Sequence, residues 1–334
     1  MGSLVSAIAT VVVGLGCFVG GLLLIYAATN LLPKSRREGS QLIVFLGPAL
    51  VVIVVGLVIP AIRTIYLSLL SDSKGQPFGG LTNYKFIVTD NNAKVTLINS
   101  AMWVFLGGTV STALGLTIAR YADKTKGESI IKSLIFIPSA LSLAGAGIIW
   151  KFVYDGPPFG NGLLNAVTKV TPGLPNSAGG DGQRIWLLET VGHLHMNTLL
   201  LIVILIWVQT GFATVVLSAA IKGVPESLEE AATVDGATSR QVFYKVTLPY
   251  IRPALLTVMT TGTITALKAF DIIQATTGGR FGTSTIANEM YTKFFLEGRD
   301  GLASAFAVVL FIIVIPVVVI NQRGQKRAAE MVGA

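Results

Sequence analysis

The feature that most constrains this chain is a succession of charge-poor apolar runs, each about as long as a membrane is thick. From Leu4 to Leu32 there is no charged residue. Six further runs follow between charged clusters: Gln41 to Ile62, Val95 to Ala119, Ser133 to Trp150, His193 to Ile221, Pro253 to Gln274 and Leu302 to Ile320. A helix rising about 1.5 Å per residue crosses ~30 Å of hydrocarbon in about 20 residues. Inside lipid the backbone finds no water, so a spanning segment has to pair its own N–H and C=O groups, and a helix does this within one segment. The pattern predicts an all-α fold, a polytopic transmembrane bundle of about seven helices. Charged residues make up 13% of the chain and the mean hydropathy is +0.70. Soluble domains carry roughly 25% charge, so an ordinary soluble fold is excluded.

Charge and the rarer residues exclude several function classes. The net charge of +8 is spread over short clusters between the apolar runs, with no basic stripe interleaved with aromatics, so nucleic acid is not an expected partner. The clusters read as topology instead. Taking Pro33 to Ser40 as cytoplasmic places fourteen Lys and Arg inside and nine outside, with Arg63 and Lys268 in spans. By the positive-inside bias this predicts an outside N-terminus and a cytoplasmic C-terminus. No basic residue precedes the first run, which therefore reads as a spanning helix rather than a secretory signal. The single cysteine, Cys17, permits no intrachain disulfide and no cysteine zinc cluster, and is expected as a small buried apolar residue. His193 and His195 stand two apart, a spacing that does not put both on one helical face, and no Cys or carboxylate cluster accompanies them, so no metal site is expected. No nucleophile or acid–base constellation marks a catalytic centre.

The longest cytoplasmic connection lies at 222–253. Pro225 suits the start of a helix, and Glu226, Glu229 and Glu230 follow where negative charge offsets the positive end of the helix dipole. Leu228, Ala231 and Ala232 share one face, and Gly236 after Asp235 is a stop able to take a positive φ. Ser239 is the expected cap of a second short helix carrying Val242 and Phe243, ahead of Leu248 and Pro249. The result is a compact helix, turn and helix at the membrane face. Two readings follow: a passive connector, or a part that inserts into a cleft of another protein and transmits motion.

Here the residues resemble a known family. Glu230, Ala231, Ala232, Asp235, Gly236, Ala237, Phe243, Leu248, Pro249 and Pro253 are similar to the EAA loop of ABC importer permeases, in its usual place before the penultimate span. Four further stretches resemble the carbohydrate branch with the maltose and alpha-glucoside permeases: Gly80 to Tyr84, Phe136 to Ser139, Gly160 to Asn165, and Phe270-Asp271 with Thr277 to Gly279. Many sugar permeases have proline after the two glycines; here Arg280 and Phe281 follow, closer to alpha-glucoside permeases. The resemblance implies a permease core of six helices with an extra N-terminal one. The organisation would be an added helix and link at 1–40, a membrane domain at 41–322 and a cytoplasmic tail at 323–334.

What the resemblance implies about partners is specific. The chain would be one permease of a heterodimer in the bacterial inner (plasma) membrane, moving a sugar by alternating access. Two ABC ATPase subunits would use ATP and Mg, and an extracytoplasmic solute-binding protein would deliver the solute. The chain itself has no G-x-x-x-x-G-K-[ST] phosphate loop, so it is expected to bind no cofactor and to be no enzyme. An alpha-linked di- or oligosaccharide is the expected solute; a polyamine or glycerol phosphate is the alternative. A membrane-embedded enzyme or a scaffold is the rival from another class.

The solute pathway is read from polar groups at membrane depth. The sixth run holds Thr257, Thr260, Thr261, Thr263 and Thr265, then Lys268 and Asp271. Such groups normally face protein or a water-filled cavity. Lys268 and Asp271, at i and i+3 of a continuous helix, are expected either to pair with one another or to meet sugar. Trp150, Tyr154, Trp207 and Phe270 offer aromatic faces for sugar stacking, though Trp150 and Tyr154 also suit an interfacial belt.

Overall fold

The computed structural model describes residues 2–29, 41, 46–72, 77–155, 162–170, 186–188 and 196–332. Among these the regular elements are all helical, with one isolated bridge between Leu70 and Phe78. The chain divides into two compact units, Met1–Tyr66 and Leu67–Ala334.

The first unit holds α1, Gly2–Thr29, and most of α2, Leu46–Ser68. Among the described side chains neither contributes to a buried core within this unit. Leu24 and Val52 are 74% and 70% exposed, as side chains that face lipid are. Cys17 is exposed on α1, contrary to the expectation of burial, because no described side chain of this unit covers it.

The second unit is the bundle. Its helices are α3 (Thr82–Thr89), α4 (Asn91–Ala122), α5 (Glu128–Ala140), α6 (Leu143–Tyr154), α7 (Leu163–Val170), α8 (Met196–Lys222), α9 (Glu226–Val234) and α10. The last begins at Ser239–Val242 and runs through a π turn, Phe243–Thr247, to Leu248–Tyr250. There follow α11 (Arg252–Leu267), α12 (Asp271–Thr276), α13 (Ile286–Tyr291) and α14 (Asp300–Val332).

Three apolar clusters run along the bundle. The largest joins Trp103, Tyr154, Leu201, Leu205, Ala266 and Ile272. A second gathers Ile87, Ile286, Leu302 and Phe306 at one end, and a third Ala119, Ala213, Leu217 and Val258 toward the other. The helices approach closely where side chains vanish. A Cβ on Gly115 would strike Ala213, and one on Gly108 would lie 2.6 Å from Thr263 Oγ1. Lipid supplies no hydrophobic drive between helices, so such small-residue contacts carry much of the packing.

Two expected spans are broken. The run Ser133 to Trp150 becomes the pair α5 and α6, bent by 102°. Ile137–Ala140 forms a 3₁₀ turn containing Pro138, and extended Ser142 caps α6 by accepting a hydrogen bond from the Gly145 N–H at 3.1 Å. The sixth run also divides: α11 ends at Leu267 and α12 starts at Asp271. The Ala269 N–H reaches back to the Ala266 carbonyl at 3.1 Å, and Phe270 leaves helical geometry at φ −120°.

The two ends of the bundle sort the charges. Lys132 pairs with Asp123 at 2.6 Å, and Lys222 pairs with Glu128. Arg299 pairs with Asp72 at 3.1 Å, and Lys293 with Glu297 at 2.7 Å. Residues that the charge distribution assigns to one side of a membrane therefore meet at one end.

Candidate functional site

The loop between α8 and α11 is built almost wholly from local signals. Pro225 is the residue ahead of α9, and Glu226 and Glu229 lie in the first turn. At the other end Gly236 adopts φ +82°. The Ala237 N–H bonds to the Ala232 carbonyl at 3.0 Å and the Gly236 N–H to the Thr233 carbonyl at 3.0 Å. This is a Schellman stop, in which a left-handed residue satisfies the last carbonyls of the helix. The cap of α10 is Thr238, not the expected Ser239. Its hydroxyl accepts from the Gln241 N–H, and the Gln241 side chain accepts from the Thr238 N–H at 2.8 Å. A capping box needs Glu or Gln three residues on, and only Thr238 has one.

The two helices are tied to each other by the Glu229 carboxylate, which accepts from the Thr247 hydroxyl at 2.8 Å. They are tied to the bundle by Phe243, which is buried. The Arg120 guanidinium of α4 lies 3.8 Å from its ring centroid. Beside this contact is a cavity of about 230 Å³ lined by Arg120, Asp123, Glu229, Val242, Phe243 and Thr247, among others. Glu128 accepts from Lys132 and Lys222, which hold its carboxyl below the usual range. The outward face of the loop has no cover. No residue of α9 is buried; Glu230, Ala231, Asp235 and Gly236 are exposed, Ala232 and Ala237 half-buried, and Val234 is 87% exposed. Leu248 is half-buried and Pro249 exposed.

The candidate pathway residues fall into two groups. Trp150 lies 5.2 Å from Tyr154 and 5.6 Å from Trp207, ring to ring. Tyr154 is buried in the main cluster and donates its hydroxyl to the Leu200 carbonyl at 3.0 Å. Its ring is thereby a packing element rather than an open platform. Phe270 belongs to the second group, 4.9 Å from Tyr291, which is itself 4.9 Å from Phe295.

Lys268 and Asp271 are exposed, and among the described residues no ion pair joins them. The expected i, i+3 pairing required a continuous helix, and the break at 268–270 removes it. On α11, Thr257, Thr261 and Thr265 form a stripe whose hydroxyls bond to carbonyls four residues back at 2.9 to 3.0 Å. Their donors are satisfied while their oxygens stay available to another partner. The pair His193 and His195 lies outside the described residues. No group of three or more metal-ligating side chains occurs among the described residues.

Comparison with known proteins decides the family. Residues 111–329 match the family described as the binding-protein-dependent transport system inner membrane component. This chain belongs to that family of ABC importer permeases. The permease is 41% identical over 290 residues to the osmoprotective compounds uptake permease protein GgtC of Synechocystis, covering 86% of this chain and 99% of that one. It is 40% identical to the alpha-glucoside transport system permease protein AglF of Rhizobium meliloti, covering 85% of this chain and 82% of that one. Among solved structures, a bacterial ABC transporter importing the acidic polysaccharide alginate shares the fold, with a TM-score of 0.70 at 19% identity over 88% of this chain and 98% of that one. The permease is therefore a multi-pass inner-membrane transport subunit and not an enzyme.

One set of residues in the permease escaped the reading of its sequence. Asn99 of α4 donates to the carbonyls of Gly282 at 2.6 Å and Ser284 at 2.9 Å. Asn197 of α8 donates to the Phe281 carbonyl at 2.8 Å, and the Ser100 hydroxyl accepts from the Ile286 N–H at 2.9 Å. These side chains clasp the segment 281–286, in which Phe281 is held at φ +59°. The clasp abuts the helix break, since Thr285 donates to the Ala269 carbonyl at 2.8 Å. Asn99 and Asn197 carried a signal: asparagine at the margin of an apolar run is costly unless paired.

Proposed function

We propose that this permease forms half of the transmembrane pathway for a sugar, an alpha-linked di- or oligosaccharide, and is driven through α9 by separate ATPase subunits. The observation that carries the docking reading is the uncovered face of α9. A nine-residue helix that buries none of its residues but is capped at its end by a Schellman stop is a rigid, open face. Isolated helices this short are marginal in water, so the stop and the Glu229 to Thr247 tie do the holding. Glu230, Ala231, Ala232, Asp235, Gly236 and Ala237 are its contact surface. Phe243, Leu248 and Pro249 connect that surface to the bundle. ATP and Mg are bound and used by the ATPases, whose closure moves the loop through differential docking.

The solute class rests on the names of relatives and on the segment after the break. The relatives include the alpha-glucoside permease above and a trehalose/maltose permease of Thermococcus litoralis at 27% identity. Phe270, Lys268 and Asp271 line the pathway, an aromatic face beside exposed polar groups, with Trp150 and Trp207 flanking. A second permease of different sequence completes the pathway, an extracytoplasmic binding protein delivers the solute, and the N-terminus lies outside.

The test is purification of the assembled transporter. ATPase subunits and binding protein should co-purify with the permease, and binding protein loaded with an alpha-linked disaccharide should stimulate ATP hydrolysis. A permease that retains no ATPase sinks the docking reading. A binding protein that ignores sugars and selects polyamines or glycerol phosphate sinks the solute class alone.

A further inference from the structure

The ATPase-coupling loop is continuous in sequence with α8 and α11, so any movement of it reaches those two helices through the backbone. No such connection links it to α4, yet α4 carries part of the far-end clasp, the rest being Asn197 of α8. Asn99, Thr96 and Ser100 lie on α4 near its start, and two of them hold segment 281–286. Arg120 lies near the other end of the same helix, 21 residues or ~32 Å away along its axis.

The surroundings of Arg120 are specific. Its guanidinium is 3.8 Å from the Phe243 centroid and 5.8 Å from that of Tyr244, both on the loop. Among the described residues it forms no ion pair. Nearby, Lys132 pairs with Asp123 and Glu128, and Lys222 with Glu128. Phe243 sits in the π turn Phe243–Thr247, and Thr247 at the end of that turn is fastened to Glu229 on the docking helix. A continuous chain of contacts thus runs from α9 through Glu229, Thr247 and Phe243 to Arg120. A planar guanidinium over an aromatic face resists being drawn off it, more so where water is partly excluded.

We propose that Arg120 is a positioning residue that makes α4 move with the coupling loop, through its stacking on Phe243, and so conveys the state of the ATPases to the clasped segment beside Phe270 and Asp271. This rests on the docking of ATPases at α9. Removal of Arg120 leaves the loop attached to α8 and α11, with α4 coupled to it through helix packing, such as that of Gly115 on Ala213, without the direct contact. The α4 part of the clasp, Asn99 and Ser100, then follows the loop less closely while Asn197 on α8 still does, and part of the hydrolysis is wasted.

The test uses the complete transporter in lipid vesicles, with both permeases, the ATPases and the binding protein, and trehalose as the solute. Arg120→Ala should keep the ATPases bound on purification but lower both stimulation by loaded binding protein and trehalose moved per ATP by at least about fivefold. Arg120→Lys, which keeps a cation near the ring but loses the planar stack, should restore part of both. Phe243→Leu should cause a similar loss, and the double variant R120A with F243L no more than either alone. Wild-type coupling in R120A, no rescue by lysine, additive losses, or release of the ATPases from R120A would each overturn the proposal. A wild-type permease that holds no ATPase would instead overturn the docking reading beneath it. A wild-type transporter that is stimulated by its binding protein as isolated but moves no trehalose counts against the solute class, and the stimulation ratio still decides Arg120.

Discussion

Asn99 and Gly282 meet across 183 residues of sequence, the asparagine amide donating to the glycine carbonyl at 2.6 Å. A second bond to Ser284 makes the side chain a fork that fixes the backbone of a turn containing four left-handed residues, Gly278, Gly279, Phe281 and Gly282. Positive φ in a phenylalanine costs about 1–3 kcal/mol and persists where surroundings over-determine it. Asn99→Ala removes both donors and leaves the carbonyls of Gly282 and Ser284 short of a partner. The expected loss is about 2 kcal/mol, read as a lowered thermal transition of the purified permease in detergent. An unchanged transition would show that the turn holds itself.

A Cβ added to Gly236 would have no neighbour within 4 Å, but the φ of this residue is +82°. Substitution is therefore strained rather than crowded. Gly236→Ala should cost about 1 kcal/mol locally, a modest change in uptake. Gly236→Asp adds a charge to the proposed docking face and should abolish uptake while the protein remains inserted in the membrane. Normal uptake by that variant would remove the loop from the coupling path.

Thr238→Ala deletes the hydroxyl of the capping box, and about 1 kcal/mol is expected at the start of α10. Ser239→Ala at the neighbouring position should be close to neutral. Amide exchange over 239–242 would distinguish them, faster in the first variant and unchanged in the second.

Gly115 faces Ala213 and the Thr214 backbone where α4 crosses α8. Gly115→Val forces the helices apart and should destabilise the bundle by roughly 1–3 kcal/mol. The yield of folded protein is the measure, and a wild-type yield would mean the crossing is looser than the contact implies.

Lys268 and Asp271 are exposed and unpaired with each other, so Asp271→Ala leaves no buried charge behind. Assembly should be near normal and transport lowered, separable by comparing membrane yield with uptake. Loss of folded protein would return Asp271 to a structural role.

Much of the loop at 222–253 was legible because its signals are local. Proline at the helix entry, three glutamates in the first turns and a glycine at the exit each act on a backbone a few residues away. The cap was misplaced by one residue because Thr238 and Ser239 are both good caps. What chooses between them is Gln241, three residues after Thr238. Arg120 carried no such signal, since an arginine after an apolar run is an ordinary topological marker until Phe243 is found above it.

The succession of apolar runs by itself determined that this chain is a helical membrane bundle, because a backbone in lipid has few ways to satisfy its own hydrogen bonds. It did not determine that the fourth run bends by 102° or that the sixth stops at Leu267. Hydropathy averages over a window and is blind to where the backbone turns. Only the tertiary structure set Asn99 against Gly282, separated Lys268 from Asp271 and laid Arg120 on Phe243, since such contacts depend on how whole helices cross and not on the order of residues within them.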